Sequence, residues 1–293
     1  MIKNISNLGD AALYCDFGTK VNKQINSDVI KYFNTIKEKN IEGINNLTPS
    51  YNKLIISYDL RVTNFNEIKD KASIVYMAPP RQDRNTDTRL DNFLHKIKKL
   101  EIEKITYIST SGVYGDYDGN VVDENSPLKP ITDRAKRRVS AEKSIISFCE
   151  ETKNKYIIFR VPGIYGPGRL PIDRILEGEP ILKSSDAKVT NLIHVEDLAR
   201  LTWNSLIDGV VNEIFNVSDG NPTTSTDYYL KICKVMNLKS PDQINIEEAK
   251  KVFSEKRMSF LNESSILNID KMNRYFDGQI KYKNLEDGIK ASV

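Results

Sequence analysis

Over its first 160 residues the chain alternates short apolar runs with longer stretches of helical character, and this alternation constrains its fold more than any other feature. The pattern is typical of a parallel sheet covered by helices on both faces. The predicted class is therefore α/β, with a doubly wound parallel sheet. The predicted strands are residues 12–15, 40–44, 53–57, 73–77, 104–108 and 156–160, and the predicted helices are residues 28–37, 88–100 and 132–152.

The character of the sequence changes after residue 160. Residues 160–171, RVPGIYGPGRLP, are dense in glycine and proline, which indicates a long ordered loop. Long loops in compact domains are often functional. We therefore predict two parts: a core over residues 1–160, and a C-terminal part over residues 161–293 that completes the sheet and forms a smaller subdomain.

Charge and hydropathy exclude two classes of partner. The 43 lysines and arginines nearly balance the 40 aspartates and glutamates and are scattered, which argues against nucleic acid and leaves an anionic small molecule open. No apolar run approaches the roughly 20 residues that cross a bilayer, so no membrane segment is predicted. Residues 1–10 do not resemble a secretory leader.

Cysteine and histidine counts exclude further kinds of site. Three cysteines with long gaps and no CxxC argue against a disulfide framework and a thiolate zinc site, and they fit a reduced cytoplasm best. With only His95 and His194, a multi-histidine metal site is excluded, and we predict no metal. We expect His194 to be structural and His95 to lie at the surface.

Four segments stand in a recognisable order: STSGVYG at 109–115, RAKRRVSAE at 134–142, RVPGIYGPGR at 160–169, and NLIHVEDLA at 191–199 followed by FNVSDG at 215–220. The first follows a predicted strand and places three hydroxyls at its carboxyl end, where α/β sheets bind ligands. By their order and spacing, the four segments together resemble the extended short-chain dehydrogenase/reductase family, in its epimerase and dehydratase branch.

The resemblance covers most of the chain and implies a Rossmann-like, nucleotide-binding core with a C-terminal substrate subdomain. The implied activity is that of an NAD(P)-dependent epimerase, dehydratase or reductase acting on an anionic small molecule, with a nucleotide sugar as one option. Homodimers built on two long central helices are common in the family, so a homodimer is an option for this chain as well.

The resemblance also implies particular contacts. Pro162 and Gly163 match a loop that contacts the nicotinamide end of the cofactor, and Tyr165 and Arg169 would then face the substrate. The other implied cofactor contacts are Gly18, Asp59, Leu60, Ala78, Pro79 and Pro80.

The sequence departs from the family at the cofactor phosphates. A dinucleotide site uses GxGxxG after the first strand, whereas residues 13–24 contain the single glycine Gly18. At the end of the second strand, where a carboxylate would select NAD or an arginine NADP, the chain has Asn45 and Asn46. The sequence therefore selects neither NAD nor NADP.

A second departure concerns the catalytic Tyr-x-x-x-Lys pair. Aligning the helix places Arg134 at the tyrosine position and Arg138 at the lysine position. Deprotonating an arginine at pH 7 would require about 7 kcal/mol, so Arg134 cannot be the general base. Both guanidinium groups are predicted to face the hydroxyls of Thr110 and Ser111, of which Thr110 matches the family hydroxyl that holds the reacting oxygen. These four residues form a predicted anion site.

Other interpretations stay open. Thr110 could be a strand-end hydroxyl that caps a turn, and the helix with the two arginines could be a solvated basic stripe paired with Asp133 and Glu142. The alternative function is a non-catalytic protein on the same fold that senses a nucleotide or binds a partner protein. If hydride chemistry is present, its base must come from another group, and the nearest candidates are Tyr114, Asp116, Tyr117, Asp118, Asp123, Glu124 and Tyr165.

Overall fold

The computed structural model describes residues 3–7, 12–19, 23–38, 43–58, 72–81, 86–100, 102–207 and 209–293. The chain forms two compact units, Met1–Asp70 and Lys71–Val293. The predicted boundary at residue 160 does not coincide with this division, because the strand that contains this residue belongs to the main sheet of the second unit. In the described ranges, none of the helices combines the length and the apolar character needed to span a bilayer.

The first unit is built on an antiparallel sheet, which corrects the predicted parallel direction of its strands. Its elements are β1 Asn4–Asn7, β2 Ala12–Asp16, α1 Lys23–Glu38, β3 Ile44–Pro49 and β4 Lys53–Tyr58. The strand order is β1-β2-β4-β3. Apolar periodicity indicates strands without giving their direction, and the short connection between β3 and β4 cannot hold the crossover of about a dozen residues that parallel strands need.

The second unit contains the main sheet and a set of short C-terminal elements. In chain order its elements are β5 Ala72–Tyr76, α2 Thr88–Ile97, β6 Ile102–Thr110, β7 Val121–Val122, α3 Asp133–Thr152, β8 Lys155–Val161, β9 Gly163–Tyr165, α4 Ile172–Leu176, β10 Ile181–Leu182, β11 Val189–Thr190, β12 Leu192–His194, α5 Val195–Ile207, β13 Glu213–Asn216, β14 Thr223–Thr224, α6 Ser225–Met236, β15 Gln243–Ile244, α7 Ile246–Val252, α8 Glu255–Asn262, β16 Ile266–Leu267, α9 Asp270–Tyr275 and α10 Leu285–Lys290.

The main sheet is parallel throughout, in the order β13-β8-β6-β5, and helices cover both of its faces. On one face, α2 and α3 contribute Leu94 and Ile145 to the core. On the other face, α5 and α9 contribute Leu201 and Met272, which belong to one core with Phe159 of β8. This arrangement confirms the predicted α/β class with a doubly wound parallel sheet.

The carboxyl ends of β6 and β8 position the candidate site. Thr110 is in register with Val161, so the segments that follow these two strands leave the sheet side by side. β6 continues into a 3-10 turn, Ser111–Tyr114, and Thr110 Oγ1 accepts a hydrogen bond from the Gly112 amide at 3.3 Å. Helix α3, which begins after its N-cap residue Thr132, contacts this turn.

Candidate active site

A crevice of about 240 Å³ follows the carboxyl ends of β6 and β8 and is termed the main crevice below. It brings together five residues that the sequence singled out, Thr110, Ser111, Arg134, Pro162 and Gly163. Two hydroxyl groups and a guanidinium therefore border one space. Such a combination can hold an anionic group or a developing oxyanion.

Arg134 borders the main crevice and stacks on an aromatic ring. Its guanidinium carbon lies 3.7 Å from the centroid of the Phe260 ring. Among the residues that the structure describes, no carboxylate forms an ion pair with this guanidinium. Burial lowers the pKa of Arg134, and the Glu263 carboxylate opposes that shift. An arginine in this setting is suited to bind an anionic ligand.

The alternative of a solvated stripe paired with Asp133 and Glu142 is wrong for Arg134. Asp133 pairs with Lys136 at 3.5 Å, and Glu142 pairs with Arg160 at 2.8 Å. Both carboxylates already have cationic partners.

Arg138 does not line the main crevice. Its Nη1 donates to the Tyr107 hydroxyl at 2.9 Å and to the Ile108 carbonyl at 3.1 Å. The i,i+4 spacing puts both arginines on one face of α3. The Arg138 guanidinium, however, is held by hydrogen bonds to β6 and does not extend into the crevice. The structure therefore brings Arg134, but not Arg138, into the same crevice as the hydroxyls of Thr110 and Ser111.

A buried polar network joins α3 to the strands of the main sheet. Glu142 accepts from Ser109 Oγ at 2.5 Å and from Arg160 Nη2 at 2.8 Å. Arg160 Nη1 donates to the Tyr114 hydroxyl at 2.9 Å, and that hydroxyl donates to Asn216 Oδ1 at 2.7 Å. Each buried charge has a partner, so the network fixes the strand ends that carry the crevice.

The candidates for a general base that follow β6 in the sequence lie outside the main crevice. Burial raises the pKa of Tyr114 to about 12. The Tyr117 hydroxyl donates to the Pro127 carbonyl at 2.7 Å, and Asp116 forms an ion pair with Lys188 at 2.7 Å. None of the seven sequence candidates borders the main crevice: Tyr114, Asp116, Tyr117, Asp118, Asp123, Glu124 and Tyr165.

Neither residue predicted to face the substrate borders a described crevice at this edge. Tyr165 is buried, packs edge-on against His194 and Tyr228, and has its pKa raised by burial. Its position on β9, which pairs with β12, turns the ring into the C-terminal core. Arg169 lies beyond β9 and is exposed. The prediction for Tyr165 is therefore wrong.

Three predicted cofactor contacts follow the neighbouring strand. Tyr76 at the end of β5 is in register with Tyr107, so Ala78, Pro79 and Pro80 leave the sheet beside the end of β6. They do not line the main crevice. The strand register thus puts them at the same edge of the sheet as the main crevice. Their contact with a cofactor stays a prediction.

The remaining cofactor predictions fall in the N-terminal part of the chain. Gly18 follows β2 of the antiparallel sheet and has a φ of +128°, a backbone conformation that favours glycine. Asp59 and Leu60 lie outside the described residues.

Sequence reasoning missed further residues that border the main crevice, and three of them carry a charge or an aromatic ring. Phe260 on α8, Glu263 after α8 and Lys188 before β11 belong to no recognised motif. Their distance in sequence from Thr110 and Arg134 left no local signal by which to group them.

Among the missed residues, Glu263 is the one whose side chain can take part in acid–base chemistry. Its Oε2 lies 3.2 Å from the position that a Cβ on Gly112 would occupy, and Thr110 Oγ1 lies 3.7 Å from the same point. Oε1 is buried and has no hydrogen-bond partner. Burial raises the pKa of Glu263, with Arg134 opposing the shift and Asp116 adding to it.

A second crevice of about 470 Å³ adjoins the first and is termed the aromatic crevice. The two share Gly163, Ser225, Phe260 and Leu261. Its walls are aromatic and basic, with Tyr228, Tyr229, Phe253, Arg174, Lys256 and Arg257. Adjoining crevices lined by rings and cations are suited to a ligand with a planar group and negative charge.

The two histidines lie where the sequence predicted. His194 is buried, accepts from the Glu196 amide at 3.2 Å and contacts Ser292 Oγ at 3.2 Å, while burial lowers its pKa. His95 is exposed on α2. The three cysteines, Cys15, Cys149 and Cys233, are buried and unpaired. Within the described ranges, no group of three or more His, Cys, Asp or Glu side chains is arranged to hold a metal ion.

Comparison with known families confirms the predicted resemblance. Residues 84–218 match the NAD dependent epimerase/dehydratase family. This segment includes β6, α3, β8 and β13, and with them Thr110, Ser111, Arg134, Pro162 and Gly163. A second match, to the carboxyltransferase domain, subdomain C and D, covers residues 3–106 and overlaps the first over residues 84–106.

Individual relatives match part of the chain. A dTDP-glucose 4,6-dehydratase of Neisseria gonorrhoeae is 26% identical over 156 residues, which are 50% of this chain and 45% of the dehydratase. The chain thus spans less than half the length of that relative. A putative UDP-glucose 4-epimerase of Methanocaldococcus jannaschii is 25% identical over 211 residues, 63% of this chain and 68% of the relative.

A solved structure shares the fold. A functionally unknown conserved protein from Silicibacter pomeroyi superposes with a TM-score of 0.67 and 27% identity, over 75% of this chain and 76% of that one.

Proposed function

We propose that this chain, whose residues 84–218 match the NAD dependent epimerase/dehydratase family, is an oxidoreductase of the epimerase, dehydratase or reductase type. Its substrate is an anionic small molecule, with nucleotide sugars as the first class to test. One observation carries this proposal: the hydroxyls of Thr110 and Ser111 and the guanidinium of Arg134 border one crevice beside Pro162 and Gly163.

The preference for an anion rests first on the positive charge of Arg134. Arg134 stacks on Phe260 without a carboxylate partner among the described residues. The adjoining aromatic crevice adds Lys256 and Arg257, of which Arg257 is paired with Glu179 at 2.9 Å and lies 3.6 Å from the Phe253 ring centroid. A nucleotide sugar carries a diphosphate that can pair with the cations and a nucleobase that can stack on the aromatic rings. The relatives named above carry dTDP-glucose or UDP-glucose in their names.

The residues present fit the reacting end of a nicotinamide dinucleotide. Thr110, Pro162 and Gly163 border one space, and Ala78 to Pro80 leave the sheet on the next strand. The described residues offer no GxGxxG turn between a strand and a helix for the diphosphate. Among the described strands, β5 is the edge strand of the main sheet on the side of β6. When bound, the cofactor would supply hydride transfer.

The chain's own residues would position the substrate and stabilise charge. A hydroxyl or carbonyl oxygen of the substrate that enters the main crevice can be bound by the side chains of Thr110 and Ser111. The Arg134 guanidinium then faces the oxygen as negative charge develops on it. A preorganised cation in a site shielded from water is an effective stabiliser of such charge.

A thermal-shift titration tests the proposal. NAD, NADH, NADP and NADPH are titrated singly, and each is then combined with UDP-glucose or dTDP-glucose. A ligand that binds the folded chain stabilises it by about 2.7 kcal/mol at a hundredfold excess over its Kd. We expect at least one dinucleotide and one nucleotide sugar to raise the melting temperature. No shift with any dinucleotide would overturn the proposal.

Two variants locate the binding. Arg134→Ala should reduce the shift caused by the nucleotide sugar, because it removes the unpaired cation of the main crevice. Lys136→Ala is the matched control, since Lys136 lies on the same helix, is exposed and pairs with Asp133. An equal loss in both variants would assign the effect to net charge instead of the crevice.

A second candidate function is nucleotide binding without chemistry. It is favoured by the replacement of the family tyrosine by Arg134 and by the missing glycine fingerprint. It predicts thermal shifts with nucleotides and no substrate-dependent change in nicotinamide absorbance. A substrate-dependent absorbance change in the wild type, lost in Arg134→Ala, would exclude it.

A further inference from the structure

We propose that Glu263 is the proton-transfer residue of the main crevice and takes the place of the tyrosine that the family carries at position 134. The inference rests on the proposed function and deepens it, because it names the group that handles the substrate proton. No sequence motif points to Glu263. The crevice geometry does.

The composition of the crevice leaves one candidate among its described lining residues. Arg134 and Lys188 are cations, and neither can accept a proton from a hydroxyl at neutral pH. The serine and threonine hydroxyls are themselves weak bases. Glu263 is the one carboxylate in the lining and therefore the one side chain there that can act as a general base.

The Glu263 carboxylate and the Thr110 hydroxyl lie on the same side of Gly112 and line the same crevice. Oε2 of Glu263 and Oγ1 of Thr110 are 3.2 Å and 3.7 Å from the position that a Cβ on residue 112 would occupy. Because residue 112 is glycine, no side chain at this position stands between the two groups. A substrate oxygen held by the Thr110 hydroxyl would therefore lie on the side of the crevice that the Glu263 carboxylate borders.

Glu263 is also free to take a proton. Its Oε1 is buried without a hydrogen-bond partner, and among the described residues no cation forms an ion pair with its carboxylate. A carboxylate already locked to an arginine would be a poor base. One that is buried and unpaired retains its proton affinity.

The charged groups around Glu263 set its affinity for a proton. Burial raises the pKa of this carboxyl, Arg134 on α3 lowers it, and Asp116 after the 3-10 turn raises it. Lys188, which also lines the crevice, is paired with Asp116 at 2.7 Å. The net shift is upward, toward the neutral range in which a general base works best.

The proposed step is a single proton transfer. The substrate O–H bond breaks, its proton forms a bond to the Glu263 carboxylate, and the electron pair stays on the substrate oxygen. The resulting alkoxide is stabilised by the Arg134 guanidinium and the Thr110 hydroxyl. In the reverse direction the neutral carboxylic acid returns the proton to the same oxygen. Base and electrostatic stabiliser are thus separate residues.

The first test is Glu263→Gln, which keeps the size of the side chain and removes its basicity. We expect turnover to fall by about 10²- to 10⁴-fold, the usual contribution of a general base. The apparent dissociation constants for the dinucleotide and the nucleotide sugar, obtained from the thermal-shift titrations, should stay within a few fold of wild type. Glu255→Gln is the control, because Glu255 lies at the exposed start of α8, outside the crevice lining.

The pH profile separates a proton-transfer role from a structural one. Because the carboxylate form is the base, the wild-type rate should fall as pH decreases through the raised pKa of Glu263. That acid limb should disappear in Glu263→Gln and persist in Glu255→Gln. Unchanged turnover and an unchanged acid limb in Glu263→Gln would overturn the inference.

An infrared titration of the ligand-free protein supplies a readout besides activity. The carboxyl band present in wild type and absent in Glu263→Gln should titrate above the ordinary glutamate range. Titration at the ordinary value would contradict the inference. If wild type shows no shift with any dinucleotide, the proposed function fails, whereas retained binding with an unaffected Glu263→Gln variant refutes only the role of Glu263.

Discussion

Gly112 lies where the 3-10 turn passes the Glu263 carboxylate, and its missing side chain keeps the main crevice open. A Cβ at this position would lie 3.2 Å from Glu263 Oε2, closer than ordinary van der Waals contact. Gly112 does not have a positive φ, so the backbone itself would accept another residue. The glycine of the STSGVYG segment is therefore explained by the space in front of the carboxylate.

Replacing Gly112 with alanine should harm the site more than the fold. The added methyl group displaces the carboxylate by a few tenths of an ångström and fills the approach to Thr110. We expect turnover to fall by about tenfold, or 1.4 kcal/mol of transition-state stabilisation, with a change in unfolding free energy below about 1 kcal/mol.

The control for Gly112→Ala is Gly209→Ala, because a Cβ on Gly209 meets no atom within 4 Å. Steady-state kinetics and thermal unfolding of both variants provide the measurement. A loss of stability in Gly112→Ala as large as the loss of activity would show that the turn, and not the crevice, had been disturbed.

Thr110 shows that a capping role and a binding role are compatible in one side chain. Its Oγ1 accepts from the Gly112 amide, as the turn-capping alternative predicted, and the same side chain borders the crevice. The capping bond uses the hydroxyl as an acceptor, so its proton stays available for a ligand oxygen.

Helix α3 serves the site at two levels along its length. Near its start Arg134 borders the main crevice, and in its middle the buried Glu142 pairs with Arg160 on β8. The first contact offers charge to a ligand, and the second fixes the helix to the sheet. The long arginine-rich helix is therefore both a structural support and a source of positive charge.

The buried ion pair makes a prediction for α3 as an element. Glu142→Gln should lower the unfolding free energy by about 3–5 kcal/mol, because it leaves Arg160 buried without its counter-charge. Both side chains are less than a twentieth exposed, at 3% and 4%. Chemical denaturation measures the difference.

Glu151→Gln is the matched control on the same helix. Glu151 pairs with Lys98 at 2.5 Å, but both side chains are largely exposed. Such a surface pair contributes roughly 0–1 kcal/mol. Equal destabilisation by the two substitutions would contradict the structural role assigned to the Glu142 and Arg160 pair.

Local pattern predicted the elements of the second unit because each is encoded within a short window. The strands over 104–108 and 156–160 and the helix over 132–152 lie where the pattern placed them. The loop predicted over residues 160–171 instead contains the end of β8 and the strand β9, Gly163–Tyr165. Strand direction in the first unit is different, since alternation of apolar residues is the same for parallel and antiparallel pairing. In the first unit, the length of the connections between strands determines whether they pair parallel or antiparallel.

At the scale of the whole chain, the site could be predicted only as far as the motifs extend. Thr110, Arg134, Pro162 and Gly163 come from segments with recognisable order and spacing. Glu263 reaches the same crevice from the C-terminal part of the chain, and only the packing of α8 brings it there. Tyr165 lies within a motif, yet pairing of β9 with β12 turns it into the core.

One buried carboxyl group should make the second unit less stable as pH rises. Burial raises the pKa of Asp219 to about 7 from its ordinary 3.8, with Asp197 contributing to the shift. Since the folded chain holds this proton more tightly than the unfolded chain, the stabilisation is complete below about pH 4 and is lost as pH rises to about 7.

Asp219→Asn isolates this contribution, because asparagine keeps the oxygen that accepts from the Asn221 amide at 2.9 Å and cannot ionise. The variant should gain stability over wild type progressively between about pH 4 and pH 7, by at most about 4 kcal/mol, and by a constant amount above that range. Denaturant titrations at several pH values measure the difference, with the exposed Asp242→Asn as the control for charge removal. A difference that shrinks with rising pH would mean that Asp219 is held as a carboxylate in the folded chain, and the buried, neutral side chain inferred here would then be wrong.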